Sequence, residues 1–179
     1  MHAGELLLPF WNAHSLLLIA SFISSDRLRG FSGQFEAVAD DSAGGKLTQC
    51  IYARLGIAGR KLSVISSETR LADVRTILET KPNLVIAADS HGPYRQIGTG
   101  TARLVKSYRS VLLLSAVSDS RATIFRKIGM VVPTAGCTIC VGLRPYILSE
   151  PHGIESLRLS VRDALTILDD ELRKAIDRR

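Results

Sequence analysis

The chain has 179 residues, a length that suits one domain, and a content of 46% hydrophobic and 22% charged residues excludes a disordered protein. The formal net charge of +6 favours anionic partners, and three cysteines are too few for a disulfide framework. The longest apolar stretch, 16–23, is shorter than the roughly 20 residues that a membrane-spanning helix needs.

The first half of the chain alternates between helical and extended patterns. The spacing of apolar residues predicts, in chain order, a helix over 10–24, a strand over 34–39, a helix over 46–55, a strand over 61–65 and a helix over 69–79. After a break at 81–83, the wholly apolar run 84–88 predicts a strand that is buried on both faces.

The second half continues the alternation. A glycine-rich loop leads to predicted elements in this order: a helix over 101–108, a strand over 111–117, a strand over 138–141 and an amphipathic helix over 155–179, whose far face carries Asp169. Alternating strand–helix units predict an α/β fold with a mainly parallel central sheet flanked by helices, in a single domain over 1–179. In such sheets reactive groups gather at the carboxyl ends of the strands, where Asp89 lies.

A polar segment follows the last strand predicted in the first half. Asp89, His91 and Arg95 place an acid, an imidazole and a guanidinium within seven positions, beside the turn residues Gly92 and Pro93. The acid can orient the imidazole as a general base, and the guanidinium can hold a phosphate or a carboxylate. The alternative is a polar surface turn in which Asp89 caps local amides.

A second polar group lies near the start of the chain. His14 follows Trp11 beside an apolar helix, where its imidazole can act as a base at the mouth of a lipid pocket or can simply be hydrogen-bonded at the edge of the core. Cys137 and Cys140 have the spacing of a metal or redox pair, but no second pair accompanies them. We interpret both cysteines as small core residues and expect no metal site.

Two segments together resemble a bacterial family within the lysophospholipid acyltransferase superfamily. That family has a Phe-Trp-His-Gly/Ala segment followed by leucines, and Phe10-Trp11-Asn12-Ala13-His14-Ser15 before Leu16-Leu17-Leu18 is similar. It also has an Asp-Gly-Pro-Arg-Gly-Pro-like segment after a buried strand, where this chain has Asp89-Ser90-His91-Gly92-Pro93-Tyr94-Arg95. The resemblance covers nearly the whole chain and implies a glycerolipid acyltransferase-like fold.

The resemblance also implies roles for individual residues. The family's catalytic histidine falls on Asn12, which cannot take a proton, so His14 and His91 are the candidate bases. Asp89 completes the implied catalytic set. The implied substrate-binding residues are Trp11, Asn12, Ser90, Gly92, Pro93 and Arg95.

By resemblance, the implied reaction moves a fatty acyl group from a thioester donor to the hydroxyl of a lysophospholipid-type acceptor, with acyl-CoA or acyl-ACP as co-substrate and no other cofactor. Because Asn12 occupies the place of the base, the alternative is a catalytically degenerate protein that keeps the fold and binds lipid or a partner. A nucleic-acid- or nucleotide-binding domain is a third interpretation that rests only on charge and on Gly98-Thr99-Gly100, and nucleic acid is not the partner we expect.

The resemblance and the charge imply a location as well. We expect a cytoplasmic protein that attaches peripherally to the inner face of the cell membrane through 16–23 and the neighbouring Arg27 and Arg29. The expected partners are a phospholipid or lysophospholipid and the acyl thioester donor. The amino-terminal hydrophobic segment usual in the family is expected to be absent, because the first motif begins already at Phe10.

Overall fold

Strands and helices alternate along the chain. The computed structural model describes residues 6–25, 35–40, 43–54, 58–62, 75–77, 79–80, 82–89, 95–125, 130–148 and 153–178. Its strands are β1 (Leu6–Phe10), β2 (Glu36–Asp40), β3 (Ala58–Leu62), β4 (Leu84–Ala87), β5 (Ser110–Ser118), β6 (Thr123–Phe125), β7 (Met130–Val132) and β8 (Ile139–Tyr146). Its helices are α1 (Ser15–Ser24), α2 (Ala43–Arg54), α3 (Thr99–Ser107) and α4 (Ile154–Asp177), with a 3-10 turn over Asn12–His14 before α1.

In the part of the chain that the structure describes, six strands form one sheet in the order β3-β2-β4-β1-β5-β8. The first five are parallel to one another, and β8 closes one edge antiparallel to β5. The strands β6 and β7 pair separately as an antiparallel hairpin. The predicted mainly parallel sheet flanked by helices is therefore confirmed.

The prediction of a single helix over 10–24 is wrong at its start. Phe10 ends the central strand β1, which pairs with β4 on one side and β5 on the other, and α1 begins only at Ser15. A strand in the middle of a parallel sheet is covered on both faces, so it is apolar throughout and its sequence merges with that of the apolar helix that follows. The polar residues between the two elements, Asn12, His14 and Ser15, were taken as part of the predicted helix.

Most other predicted elements are confirmed with shifted boundaries. The strand predicted over 138–141 is longer and runs over Ile139–Tyr146, and the β6–β7 hairpin was not predicted. Residues 75–77 and 79–80 are helical, as predicted, and the remainder of the predicted helix over 69–79 lies outside the described residues.

The two faces of the sheet carry different helices. On one face, Leu17 and Leu18 of α1 pack in a cluster with Leu8 and Phe10 of β1 and Leu114 of β5. On the other face, α3 and α4 contribute a larger cluster with buried residues of β1, β4 and β5: Leu104, Val105, Leu157, Val161 and Leu165 pack with Leu7, Leu84, Val111 and Leu113. Successive residues of a strand point to opposite faces, which explains why neighbours in β1 belong to different clusters.

The terminal helix α4 lies close against the edge strand β8. A Cβ atom on Gly142 of β8 would lie 2.9 Å from Leu172 Cδ2, so the absence of a side chain there lets the helix approach the strand. Tyr146 Oη donates a hydrogen bond to Ser160 Oγ at 2.7 Å, and Arg144 forms an ion pair with Glu171. These contacts hold α4 against β8 at both halves of the helix.

The segment predicted to contact a membrane is mostly part of the core. Leu17, Leu18 and Ile19 are buried, because the apolar side of α1 packs on the sheet, while Ile23 is 55% exposed. The predicted neighbours Arg27 and Arg29 lie outside the described residues. Among the described helices, none is long and apolar enough to cross a bilayer.

Candidate functional site

The carboxyl ends of β1 and β4 lie side by side at a topological switch point. The chain leaves β1 through α1 toward β2, on one side of the pair, and leaves β4 through α3 toward β5, on the other side. Because these two connections diverge over opposite faces of the sheet, they leave a crevice between them, which is the usual ligand position in open α/β sheets.

Asp89 ties the ends of these two strands together. Its Oδ1 accepts a hydrogen bond from the backbone N–H of Asn12 at 2.7 Å, and its Oδ2 accepts one from the backbone N–H of Arg95 at 2.9 Å. The adjacent Ala88 N–H donates to Phe10 O at 2.7 Å. Each carboxylate oxygen of this buried residue thus accepts a hydrogen bond from a backbone N–H, one after β1 and one after β4.

Asp89 is therefore expected to stabilise the fold locally. Replacing it by Ala removes the acceptors of two backbone N–H groups, and we expect the free energy of unfolding to fall by about 2 to 3 kcal/mol. Chemical denaturation checks this value. The matched control Asp163→Ala removes an exposed carboxylate on α4 and should change stability by less than about 0.5 kcal/mol; equal effects of the two changes would contradict the role of Asp89.

Arg95 has an unusual backbone conformation at this edge. Its φ angle is 60°, in the left-handed region that residues other than glycine rarely adopt, and the hydrogen bond to Asp89 holds its N–H in place. This conformation sends the guanidinium toward α4, where Nη2 donates to Asp169 Oδ2 at 2.6 Å. The Arg95 side chain remains 26% exposed, so part of it faces the solvent side of the crevice.

Asp169 lies at the centre of a buried polar cluster that the sequence analysis did not predict. It is fully buried, accepts a short hydrogen bond at Oδ1 from Ser115 Oγ of β5, and its Oδ2 lies 3.7 Å from His14 Nε2. Burial raises the pKa of Asp169, while the hydrogen bond from Ser115 and the charge of Arg95 oppose that rise. The cluster joins the ends of β1 and β4 to β5 and α4.

His14 is enclosed in the same cluster. It is 1% exposed, and its Nδ1 lies 3.5 Å from Ser115 Oγ. Burial, followed by the positive charges of Arg95 and Arg173, lowers the pKa of His14 to about 4, and the charge of Asp89 acts weakly in the other direction. The imidazole is therefore neutral at pH 7.

Trp11 and Asn12 complete the edge. Trp11 is fully buried, and its indole Nε1 has no hydrogen-bond partner, the one such buried side-chain atom in the part of the chain that the structure describes. Asn12 is partly exposed and accepts hydrogen bonds from Ser15 Oγ at its backbone oxygen, 2.7 Å away, and more weakly at Oδ1. The Ser15 hydroxyl therefore links the first residue of α1 to the preceding 3-10 turn.

Five of the sequence-predicted site residues come together at this edge: Trp11, Asn12, His14, Asp89 and Arg95. The predicted residues Ser90, His91, Gly92 and Pro93 lie outside the described residues. The placement of Asp169 on the far, solvated face of the terminal helix is wrong. Asp169 follows Leu165 by four positions, a spacing that places it on the apolar stripe and could have revealed its burial.

A small cavity lies on the α1 side of the sheet. It lies between α1, α2 and the sheet, is lined by apolar side chains including Phe10, Leu18 and Tyr52, and has a volume of about 20 Å³. That is about the space that one water molecule needs.

Comparison with known proteins overturns the predicted family. No protein-family model matches the chain, and no curated protein matches it. The crystal structure of glycinamide ribonucleotide transformylase 1 from Symbiobacterium toebii is a weak structural neighbour, with a TM-score of 0.34 and 13% sequence identity over 96% of this chain and 87% of that chain. The resemblance to lysophospholipid acyltransferases is therefore wrong: short motifs in the right order occur here without the similarity that membership of that superfamily requires.

Proposed function

We propose that this chain is a binding protein that holds an anionic ligand at the carboxyl edge of β1 and β4 without converting it. The Arg95 side chain reaches this edge and is 26% exposed, so a phosphate or carboxylate can approach it from solvent. The net charge of +6 favours the approach of such ligands over longer distances.

The burial of His14 is the observation that carries the proposal. A general base must come within hydrogen-bond reach of the proton that it removes. His14 is enclosed by Ser115 and Asp169 at 1% exposure, and Asp89 is engaged by two backbone N–H groups. The acid and the imidazole described at this edge therefore support the fold and are closed to a ligand hydroxyl.

The ligand class includes the molecules that the sequence analysis predicts as partners. Acyl-CoA and lysophosphatidic acid both carry phosphate groups that a guanidinium can bind. They are therefore the first probes, and contact with an anionic membrane surface belongs to the same proposal. Flotation with anionic vesicles tests the membrane contact, which is contradicted if the protein stays at the bottom of the gradient.

Calorimetric titration with acyl-CoA and with lysophosphatidic acid tests the binding site. We expect Arg95→Gln to weaken binding at least about tenfold, because a charge-assisted hydrogen bond contributes about 1.5 to 3 kcal/mol. The matched control Arg103→Gln removes an exposed arginine on α3 and should change the dissociation constant less than about twofold.

Mass spectrometry of the two probes incubated together tests the absence of turnover. We expect no acylated product. Formation of phosphatidic acid would contradict the proposal, and its loss in His91→Ala would then assign the base to that histidine.

A further inference from the structure

The buried carboxylate of Asp169 depends on Arg95 for its counter-charge. Its two oxygens receive hydrogen bonds from Arg95 Nη2 and from Ser115 Oγ, and the side chain has no exposed surface. A carboxylate removed from water is stable only if it is paired or takes a proton. Any ligand that displaces the Arg95 guanidinium from Asp169 therefore requires the negative charge of the carboxylate to be neutralised in another way.

The hydrogen bonds around His14 indicate where a proton that neutralises Asp169 could lie. The single hydroxyl hydrogen of Ser115 is donated to Asp169 Oδ1, so a hydrogen bond across the 3.5 Å contact between Ser115 Oγ and His14 Nδ1 has the histidine donating from Nδ1. The neutral ring then carries its lone pair on Nε2, which lies 3.7 Å from Asp169 Oδ2. A proton on Oδ2 thus faces an acceptor.

We infer that an anion that takes the Arg95 guanidinium from Asp169 binds with the uptake of one proton, which comes to lie between Asp169 Oδ2 and His14 Nε2. One N–H···O hydrogen bond of Arg95 to Asp169 is exchanged for one to the ligand, and the proton comes from solvent. The inference rests on the proposed function and adds that binding weakens as pH rises.

The other charged groups near Asp169 act in opposite directions on it. Arg173 and Asp170 are exposed neighbours on α4 whose charges shift the pKa of Asp169 in opposite directions, and Asp89 acts on His14. Burial is the largest influence and already raises the pKa of Asp169 while Arg95 is in place. Loss of Arg95 as a partner raises it further.

Titration calorimetry with sulfate tests the inference, because sulfate does not titrate near neutral pH and any proton must come to the protein. Measured in two buffers of different ionisation enthalpy, binding should take up about one proton per sulfate. The dissociation constant should rise about tenfold per pH unit between about pH 6 and pH 8. Asp169→Asn should bind sulfate with less than about twofold change over the same range, while the neighbouring control Asp170→Asn keeps the wild-type slope.

Two results would overturn the inference: sulfate that binds the wild-type protein without proton uptake, or sulfate that does not bind. Neither depends on the folding of the Asp169→Asn variant, since both are measured on the wild type. The proposed function is judged separately by acyl-CoA and lysophosphatidic acid. If those probes bind through Arg95 while sulfate shows no linked proton, the proposed function stands and the inference fails.

Discussion

Replacing Asp169 by Ala is expected to lower the free energy of unfolding by about 4 kcal/mol, the size found when one partner of a buried ion pair is removed. The change removes the carboxylate that accepts hydrogen bonds from the Arg95 guanidinium and from the fully buried Ser115 hydroxyl. It also opens a gap beneath the middle of α4. Because Asp169 links α4 to β5 through Ser115 and to the end of β4 through Arg95, the loss should weaken the packing of these elements together.

Chemical denaturation with urea measures this effect as a shift of the midpoint at constant slope. The matched control Asp170→Ala removes the adjacent carboxylate, which is exposed, and should change stability by less than about 0.5 kcal/mol. Equal urea midpoints for the two variants would contradict the conclusion that Asp169 stabilises the fold more than its exposed neighbour does.

The buried histidine should make the protein acid-sensitive. The pKa of His14 is lowered from 6.5 to about 4 in the folded state, so between these values the unfolded chain binds the proton and the folded chain does not. Stability from the neutral ring is fully present above pH 6.5 and is lost as pH falls toward 4. The lost free energy of unfolding is about 3 kcal/mol, from about 1.4 kcal/mol per pH unit of the shift.

Asp169 acts in the opposite direction. Its raised folded-state pKa contributes stability at low pH that is lost as pH rises, so the pH dependence of the wild type alone does not isolate the histidine. The contribution of the histidine is isolated by comparing the free energy of unfolding of the wild type with that of His14→Gln over about pH 4 to 6.5, since the variant lacks the titrating ring. The difference between the two free energies of unfolding should shrink by about 3 kcal/mol as the pH falls toward 4. A difference that stays constant with pH would contradict the conclusion that His14 is buried in its neutral form.

The part of the candidate site at the carboxyl ends of β1 and β4 could be predicted, because reactive groups in α/β proteins gather at such strand ends. Asp89 comes directly after an apolar strand, and the carboxyl end of such a strand is where α/β proteins place reactive groups. The convergence of Asp89 with the segment from Trp11 to His14 follows from the pairing of β4 with β1. That pairing was not predictable from local pattern, because it joins residues 77 positions apart along the chain.

The second half of the site could not be found in the same way. Ser115 lies in the middle of β5 and Asp169 on a long amphipathic helix, and neither belongs to a recognisable sequence motif. Their meeting depends on how α4 crosses the sheet. The close approach at Gly142 and the contacts of Leu165 and Leu168 with the core decide that crossing.

By itself, the sequence determined the α/β architecture, the helix on the carboxyl-terminal side and the strands at 84–87 and 110–118, because apolar period and glycine-rich breaks are local properties. The tertiary structure alone decided that Leu6–Phe10 is a strand, that His14 and Asp169 are enclosed, and that Asp89 serves backbone amides. The identity of a titratable residue in the sequence does not show whether its side chain faces water or the core. Its exposure and charge are set by elements distant in the chain, which only packing brings into contact.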